Sequence, residues 1–248
     1  MAIAIENINR DNLPKHIAVI MDGNGRWAKG KGAARIFGHK NAITAVREVT
    51  EASAELGVGY LTLYAFSTEN WGRPKDEVMG LMKLLVSTIR GEIKTLKKNN
   101  VRLKAIGALD NLPGSCQKEL SEAIEKTKNN TGLTLVLALS YSGRWEILEA
   151  VRKIADKVKN EELKVSEIDD NLLSAQLNTS DFPDPELLIR TSGEMRISNF
   201  LLWQIAYTEI YFTEKLWPDF RKEDLFEAIM SYQARERRFG RISEQVNT

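Results

Sequence analysis

Residues 16–28 read HIAVIMDGNGRWA: an apolar run from His16 to Met21, an acid, then two glycines around an asparagine. The run lacks the alternation of a strand with one wet face, so it reads as a strand buried on both sides. Four further runs repeat the pattern: YLTLYAF from Tyr60, VRLKAIG from Val101, LTLVLALS from Leu133 and PELLIR from Pro185. TEIYF from Thr208 makes a sixth. Between them lie stretches with apolar residues at three- and four-residue steps, the helical period. Ala42 to Leu56 is one, stopped by Gly57. Lys75 to Lys98 is the longest, with Val78, Leu81, Met82, Leu85, Ile89, Ile93 and Leu96 on one stripe. Gln117 to Lys128 follows a first-turn Pro113, and Trp145 to Lys159, a short Asp169 to Leu177 and a basic Arg221 to Arg238 complete the set. Alternating strands and helices, with strands this apolar, predict an α/β fold: a central, mostly parallel six-stranded sheet flanked by helices on both faces. No linker, repeat or low-complexity segment interrupts residues 1–248, so one domain is expected, with 1–12 and 241–248 as flexible ends.

Composition narrows the function classes. The chain has 248 residues, with Lys+Arg 35 against Asp+Glu 34 and a formal charge of +1. That balance gives no global attraction to nucleic acid or anionic lipid, so any anion must be held by local clusters. A lone Cys116 excludes an internal disulfide and a cysteine-built zinc site, and two histidines, His16 and His39, exclude a polyhistidine metal centre. No basic-then-apolar leader opens the chain, and LTLVLAL is far shorter than the ~20 residues of a spanning helix. A cytoplasmic protein without a transmembrane segment is expected.

In open parallel sheets ligands sit beyond the carboxyl ends of the strands, so the residues following each strand carry the chemistry. After the first strand, Asp22-Gly23-Asn24-Gly25-Arg26-Trp27 can aim backbone N–H groups at a phosphate, and Asp22 can hold a metal; a tight turn with a capping acid accounts for the same residues. Gly25 to Lys31 also matches the spacing of a nucleotide-binding P-loop. The next residue is Gly32, not the Ser or Thr whose hydroxyl would bind magnesium, which makes a P-loop-like nucleotide-binding protein the weaker alternative. Arg35 and Gly38-His39-Lys40 follow at a helix start, where cations are poorly placed for helix stability but well placed for an anion. After the second strand come Ser67, Thr68, Glu69, Asn70, Trp71 and Arg73, a loop dense in polar and aromatic groups. There Glu69 or Asn70 can orient a proton transfer, and Arg73 can pair with phosphate. After the fifth, Arg190, Ser192, Gly193, Arg196 and Ser198 read as a second phosphate cradle, and Glu209 on the sixth is a further candidate metal acid. Magnesium takes only one or two protein carboxylates and completes its shell with phosphate and water. Two anion loops with isolated acids therefore suggest two phosphorylated substrates and Mg2+.

HIAVIMDGNGRWA, LTLYAFSTENWGRP, SGRWEI and LLIRTSGEMRISNFLLWQIAYTEIYF, in that order from His16 to Phe212, resemble the cis-prenyltransferases, and in particular their bacterial, undecaprenyl-forming branch. The resemblance implies a transferase that adds isopentenyl diphosphate repeatedly to an allylic diphosphate, farnesyl diphosphate, each new double bond being cis. The expected product is undecaprenyl diphosphate, a lipid-carrier precursor for cell-wall synthesis. It implies that Asp22, Gly23, Asn24, Gly25, Arg26 and Trp27, with Arg35 and His39, hold the allylic diphosphate. Arg190, Arg196, Ile197 and Ser198 would hold isopentenyl diphosphate, Asp22 and Glu209 would be the magnesium-linked acids, and Asn70 would position or accept the proton lost at each step, with Ser67, Thr68, Glu69, Trp71 and Arg73 around it. It further implies an apolar tunnel, with Lys75 to Lys98 as a candidate wall. A homodimer is implied too, with Arg238-Phe239-Gly240 reaching the partner's site, as is peripheral membrane contact for product release. Asp169-Asp170 continues as Asn-Leu-Leu and forms no D-D-x-x-D, so the trans-prenyltransferases are excluded. The chain departs from the family at Ser140-Tyr-Ser-Gly-Arg144, where N-Y-G-G-R is usual, and at Asn41, where a glycine commonly follows G-H-K. The alternative from another class is a non-catalytic partner subunit, which would be expected to lack the acid of the first loop or the arginines of the fifth strand; this chain keeps Asp22, Arg190, Arg196 and Glu209.

Overall fold

A computed structural model describes residues 5–237 of the chain. The Arg238-Phe239-Gly240 motif and residues 241–248 lie outside the described residues.

Six strands form one sheet: β1 His16–Ile20, β2 Tyr60–Ser67, β3 Arg102–Ile106, β4 Thr134–Tyr141, β5 Leu187–Arg190 and β6 Glu209–Phe212. Their order is β3-β4-β2-β1-β5-β6, and every pairing is parallel, one step beyond the mostly parallel sheet expected. Alternate residues feed two cores. Ile17, Val19, Leu61, Leu63, Leu103, Leu135, Leu187 and Ile189 face one layer. Ala18, Ile20, Val136, Ala138 and Leu188 face the other, against Phe200 and Leu201. Burial on both faces is why these strands read as unbroken apolar runs.

The helices are α1 Asn24–Gly30, α2 Arg35–Leu56, α3 Lys75–Lys98, α4 Gly114–Thr127, α5 Gly143–Lys159, α6 Asp170–Gln176 and α7 Lys222–Gln233. The first was expected as a turn. Because residues 25–30 are helical, the P-loop-like spacing is not a phosphate loop, and that alternative falls. Helix α2 begins at Arg35 and not near Ala42, because its first turns pack on α1 and not on the sheet, so the apolar stripe starts late. Gly38 permits that crossing: a Cβ there would stand 1.9 Å from the Asn24 carbonyl oxygen. Gly57 ends α2 in the left-handed region at φ 91°, where a side chain would be strained. Helix α3 keeps its expected bounds, with Asp76 and Glu77 in the first turn and Lys97 and Lys98 in the last, each complementing the helix dipole. Helix α7 stops at Gln233, short of the expected Arg238.

Residues 5–12 form two short 3-10 turns, and Gln233 Nε2 donates to the Asn9 and Asn12 carbonyls at 2.7 and 3.0 Å. Among the described residues no helix is long and apolar enough to cross a membrane.

Candidate active site

Parallel pairing of β1 with β5 sets Ile20 beside Arg190, so the chain leaving β1 meets the chain leaving β5 at the carboxyl edge of the sheet. The Thr191 hydroxyl ties them, accepting from the Asp22 N–H at 2.9 Å and donating to the Asp22 carbonyl at 2.7 Å. Asp22 Oδ1 accepts from the Gly23 N–H at 2.7 Å, and Oδ2 accepts from Arg190 Nη2 at 2.9 Å. Burial opposes ionisation of this carboxyl, but the Arg190 and Gly23 hydrogen bonds and the charges of Arg190 and Arg26 outweigh it and hold the group below the usual carboxylate range. Arg190 is only 3% exposed. Its Nη1 donates to Ser198 Oγ at 2.7 Å and to the Arg196 carbonyl, while its Nε–H has no protein partner. The two phosphate cradles read separately from the sequence are thus one site, joined through an Asp22–Arg190 pair.

Arg26, on α1, reaches Ser192 Oγ and lies 3.2 Å from Glu194 and 3.8 Å from Asp22. Arg196 pairs with the same Glu194 and is mostly exposed. Arg35 folds over Gly25, whose missing Cβ would stand 3.1 Å from Arg35 Nε. Asp22, Gly23, Gly25, Arg26, Lys29 and Arg35 line a pocket of about 520 Å³. The Asn24 amide donates to the Met21 carbonyl, and its Oδ1 is buried without a partner.

Beyond β2, a 3-10 turn over Thr68–Gly72 is closed reciprocally: Ser67 caps the Asn70 N–H, and Asn70 Oδ1 accepts from the Ser67 N–H at 3.2 Å. This fixes Asn70 in the lining of a second, apolar cavity of about 260 Å³, with His39 and Arg73. The cavity runs between α2, α3 and the sheet, along Ile43, Val46, Leu85, Ile89, Leu103 and Leu137. Ala65 lines it as well. Arg73 donates to Glu77 at 3.1 Å, and Arg35 stands 3.6 Å from the same carboxylate. Burial, with Arg73 and Arg35 nearby, pushes His39 down to about 4, so its imidazole is neutral near pH 7 and adds no charge to the basic cluster.

Several candidates lie elsewhere. Glu209 opens β6 and pairs in register with Leu187, at the amino end of the sheet, whereas Asp22 follows the carboxyl end of β1. Glu209 accepts from Arg235 at 2.8 Å and cannot share an ion with Asp22 of the same chain. As the second residue of TEIYF it already stood at the amino end of its strand, and the parallel pairing of β6 puts that end on the opposite edge of the sheet from Asp22. Trp27 turns outward, stacking on Phe37 and donating to Asp219 at 2.8 Å. Trp71 turns inward, edge-on to Phe66, and donates to Ser140 Oγ at 2.9 Å. Ile197 packs on the second core, and the Thr68 hydroxyl donates to the neighbouring Glu69. Glu77, Thr191 and Glu194 were missed as site residues; for Glu77, the four-residue step from Arg73 was the available signal. Among the described residues no three His, Cys, Asp or Glu cluster as a metal site.

The family model for putative undecaprenyl diphosphate synthase matches residues 20–240, which spans the whole of this site. The chain belongs to the undecaprenyl diphosphate synthase family. An isoprenyl transferase of Chlorobaculum tepidum is 54% identical over 236 residues, 95% of this chain and 89% of that one. A ditrans,polycis-undecaprenyl-diphosphate synthase, (2E,6E)-farnesyl-diphosphate specific, of Micrococcus luteus is 53% identical, covering 96% of each chain. Among solved structures, lavandulyl diphosphate synthase from Lavandula x intermedia, in complex with dimethylallyl diphosphate, superimposes with a TM-score of 0.90 at 39% identity, over 93% of this chain and 99% of that one. A probable undecaprenyl diphosphate synthase from Campylobacter jejuni gives 0.78 at 35%, over 93% and 100%. Membership of this family makes the chain a prenyl transferase.

Proposed function

We propose that the protein condenses isopentenyl diphosphate repeatedly onto farnesyl diphosphate, with Mg2+, to give a long-chain cis-polyprenyl diphosphate, undecaprenyl diphosphate. One observation carries the reading: an apolar cavity opens beside Asn70 and Arg73, next to a pocket lined by Arg26, Arg35 and Asp22. A diphosphate with a hydrocarbon tail needs that pairing of surfaces, and the names of the relatives support the substrate.

Asp22 fits a magnesium site of the kind that diphosphates complete: one ionised carboxylate, a third exposed, beside arginines that neutralise the phosphates. Glu209 is not part of it within one chain. Bound there, magnesium would stabilise the charge that develops on the departing diphosphate. Arg26 and Arg35 hold the allylic diphosphate, the Gly23 to Gly25 backbone lets it approach closely, and Arg190, Arg196 and Ser198 hold isopentenyl diphosphate. At each step a carbon–carbon bond forms at the allylic carbon, its bond to the diphosphate oxygen breaks, and a proton leaves the incoming unit. An amide is not a base near neutral pH, so Asn70 orients that unit by hydrogen bonding and the proton leaves with the diphosphate. The growing tail extends between α2 and α3, where the cavity becomes the tunnel. The working unit is a homodimer, a reading supported by Leu148 and Val151, which leave an apolar stripe of α5 exposed. Exposed Phe37 and Met79, on the first turns of α2 and α3, support brief membrane contact as product leaves in the cytoplasm.

The test is incubation of the purified chain with farnesyl diphosphate, labelled isopentenyl diphosphate and magnesium, followed by chromatography of the extracted products. A ladder ending at long chains is expected. No labelled lipid would refute the reading and favour a non-catalytic subunit.

A further inference from the structure

The segment between β5 and β6 carries the second cradle in an unfavourable backbone. Ser198, Asn199 and Leu201 take φ of 48°, 61° and 46°, the left-handed region that side chains other than glycine and asparagine avoid. Such conformations persist only where the surroundings over-determine them. Arg190 clamps the Ser198 hydroxyl from one side. From the other, the Asn199 carbonyl accepts the Gly143 N–H at 2.7 Å, and Asn199 Oδ1 accepts the Arg144 N–H at 3.0 Å. Asn199 thereby satisfies two free amides at the start of α5. Gly143 makes the approach possible, since a Cβ there would stand 2.7 Å from Leu202 Cγ.

That arrangement determines the other end of the amide. Because Oδ1 faces a backbone N–H, which can only donate, Nδ2 must be the group facing Glu69, and it donates to Glu69 Oε1 at 2.8 Å. Glu69 lies in the 3-10 turn after β2, one residue from Asn70, which lines the apolar cavity. The same bond helps hold the Glu69 carboxyl below its ordinary range, against the effect of burial. Among the described residues no other side-chain hydrogen bond joins the turn 68–72 to the segment 191–201.

We propose that Asn199 is a positioning residue, which sets the distance between the isopentenyl diphosphate cradle and the Asn70 loop by bridging the start of α5 to Glu69. This rests on the function proposed above and assigns what holds the second substrate's two contact surfaces in register. Asn199 touches no reacting atom; it acts through Glu69 on one side and Ser198 on the other.

Exchange of the two partners' chemistry tests it. Asn199→Asp keeps the acceptor for Arg144 and tolerates the left-handed backbone, but loses the donor and sets two carboxylates together. Glu69→Gln loses the charge. In the double variant the new amide at position 69 can donate to the new carboxylate at position 199, so the bond is restored with its polarity reversed. Titration calorimetry with isopentenyl diphosphate, on full-length protein, reads binding without turnover. Asn199→Asp is expected to weaken binding by roughly ten- to a hundredfold, the range of a hydrogen bond to a charged group. It should leave the affinity for farnesyl diphosphate within about twofold, and the double variant should recover to within about threefold of wild type. In turnover, the KM for isopentenyl diphosphate and kcat should follow the same pattern. Binding by Asn199→Asp within about twofold of wild type, or single losses that simply multiply in the double variant, would overturn the assignment. A wild-type chain that binds both diphosphates but forms no prenyl product would refute the proposed function, while the calorimetric cycle still judges Asn199.

Discussion

Replacing Asp22 by alanine should do two things at once, because its carboxylate faces both the proposed magnesium and a buried guanidinium. The Arg190 side chain is 4% exposed, and the Asp22 side chain that neutralises it is 33% exposed. Leaving a buried charge unpaired costs about 3–5 kcal/mol, and one hydrogen bond to a charged group contributes about 1.5–3 kcal/mol. Asp22 is open enough for water to enter in its place, and Arg190 keeps Ser198 and the Arg196 carbonyl. The lower part of the range applies, about 2–3 kcal/mol. In a chain of this size each kcal/mol moves Tm by about 2–4 °C, so Asp22→Ala should melt about 4–12 °C below wild type. Turnover should fall at least about a thousandfold, since metal-linked charge stabilisation supplies several kcal/mol of the barrier. Asp22→Asn keeps an oxygen for the Gly23 N–H and should recover part of the stability but not the rate. Scanning calorimetry and a labelled isopentenyl diphosphate assay on the same preparations separate the effects. An Asp22→Ala protein that melts with wild type would show that Arg190 does not depend on this carboxylate, and near wild-type turnover would remove Asp22 from the chemistry. Because folding lowers the Asp22 pKa, its contribution to stability is complete above the ordinary carboxylate range and disappears as pH falls through the lowered folded value.

Ala65 lines the apolar cavity, so Ala65→Leu should shorten the product while sparing the first condensation, and an unchanged chain-length distribution in an active variant would exclude it as a tunnel wall. Arg196→Ala should raise the KM for isopentenyl diphosphate by about ten- to a hundredfold and that for farnesyl diphosphate far less, as steady-state kinetics on both substrates would reveal. Gly38→Ala places a methyl 1.9 Å from the Asn24 carbonyl and should cost about 3 kcal/mol or fail to fold, and a melt equal to wild type would mean that α1 can move away from α2 at little cost. His16 is buried, which pushes it down to about 4 from 6.5, against the opposing pull of the Pro183 carbonyl and Glu186. The unfolded chain then binds the proton first, and stability should fall as pH drops from about 6.5 towards 4, by about 3 kcal/mol, in urea titrations at stepped pH.

Local pattern carried most of the architecture. A strand buried on both faces must be apolar throughout, so β1, β2, β4 and β5 announced themselves, and the stripe from Val78 to Leu96 announced α3 almost to the residue. Patterns failed where the partner was not the sheet. Helix α1 is short and glycine-rich, and it rests on α2 through the missing side chain of Gly38, an interaction with no periodic signature. The loops after β1, β2 and β5 were legible as chemistry because Asp, Asn and Arg beside glycine are costly choices for a mere turn, and their position after strands of a parallel sheet points them to one edge.

The tertiary structure decided what depends on distant residues being neighbours. Strand order, not sequence order, sets β1 beside β5 and makes Asp22 and Arg190 a pair across 168 positions. The parallel direction of β6 puts Glu209, at that strand's amino end, on the opposite edge of the sheet from Asp22, although both read alike as acids near strands. Tertiary packing turns Trp27 outward and Trp71 inward, and it buries His39 among arginines, which makes its imidazole harder to protonate. Residue type and spacing state which groups are available for chemistry. Which of them meet is set by long-range packing of buried surfaces, in which each side chain's direction depends on the register of its strand and the crossing of its helix.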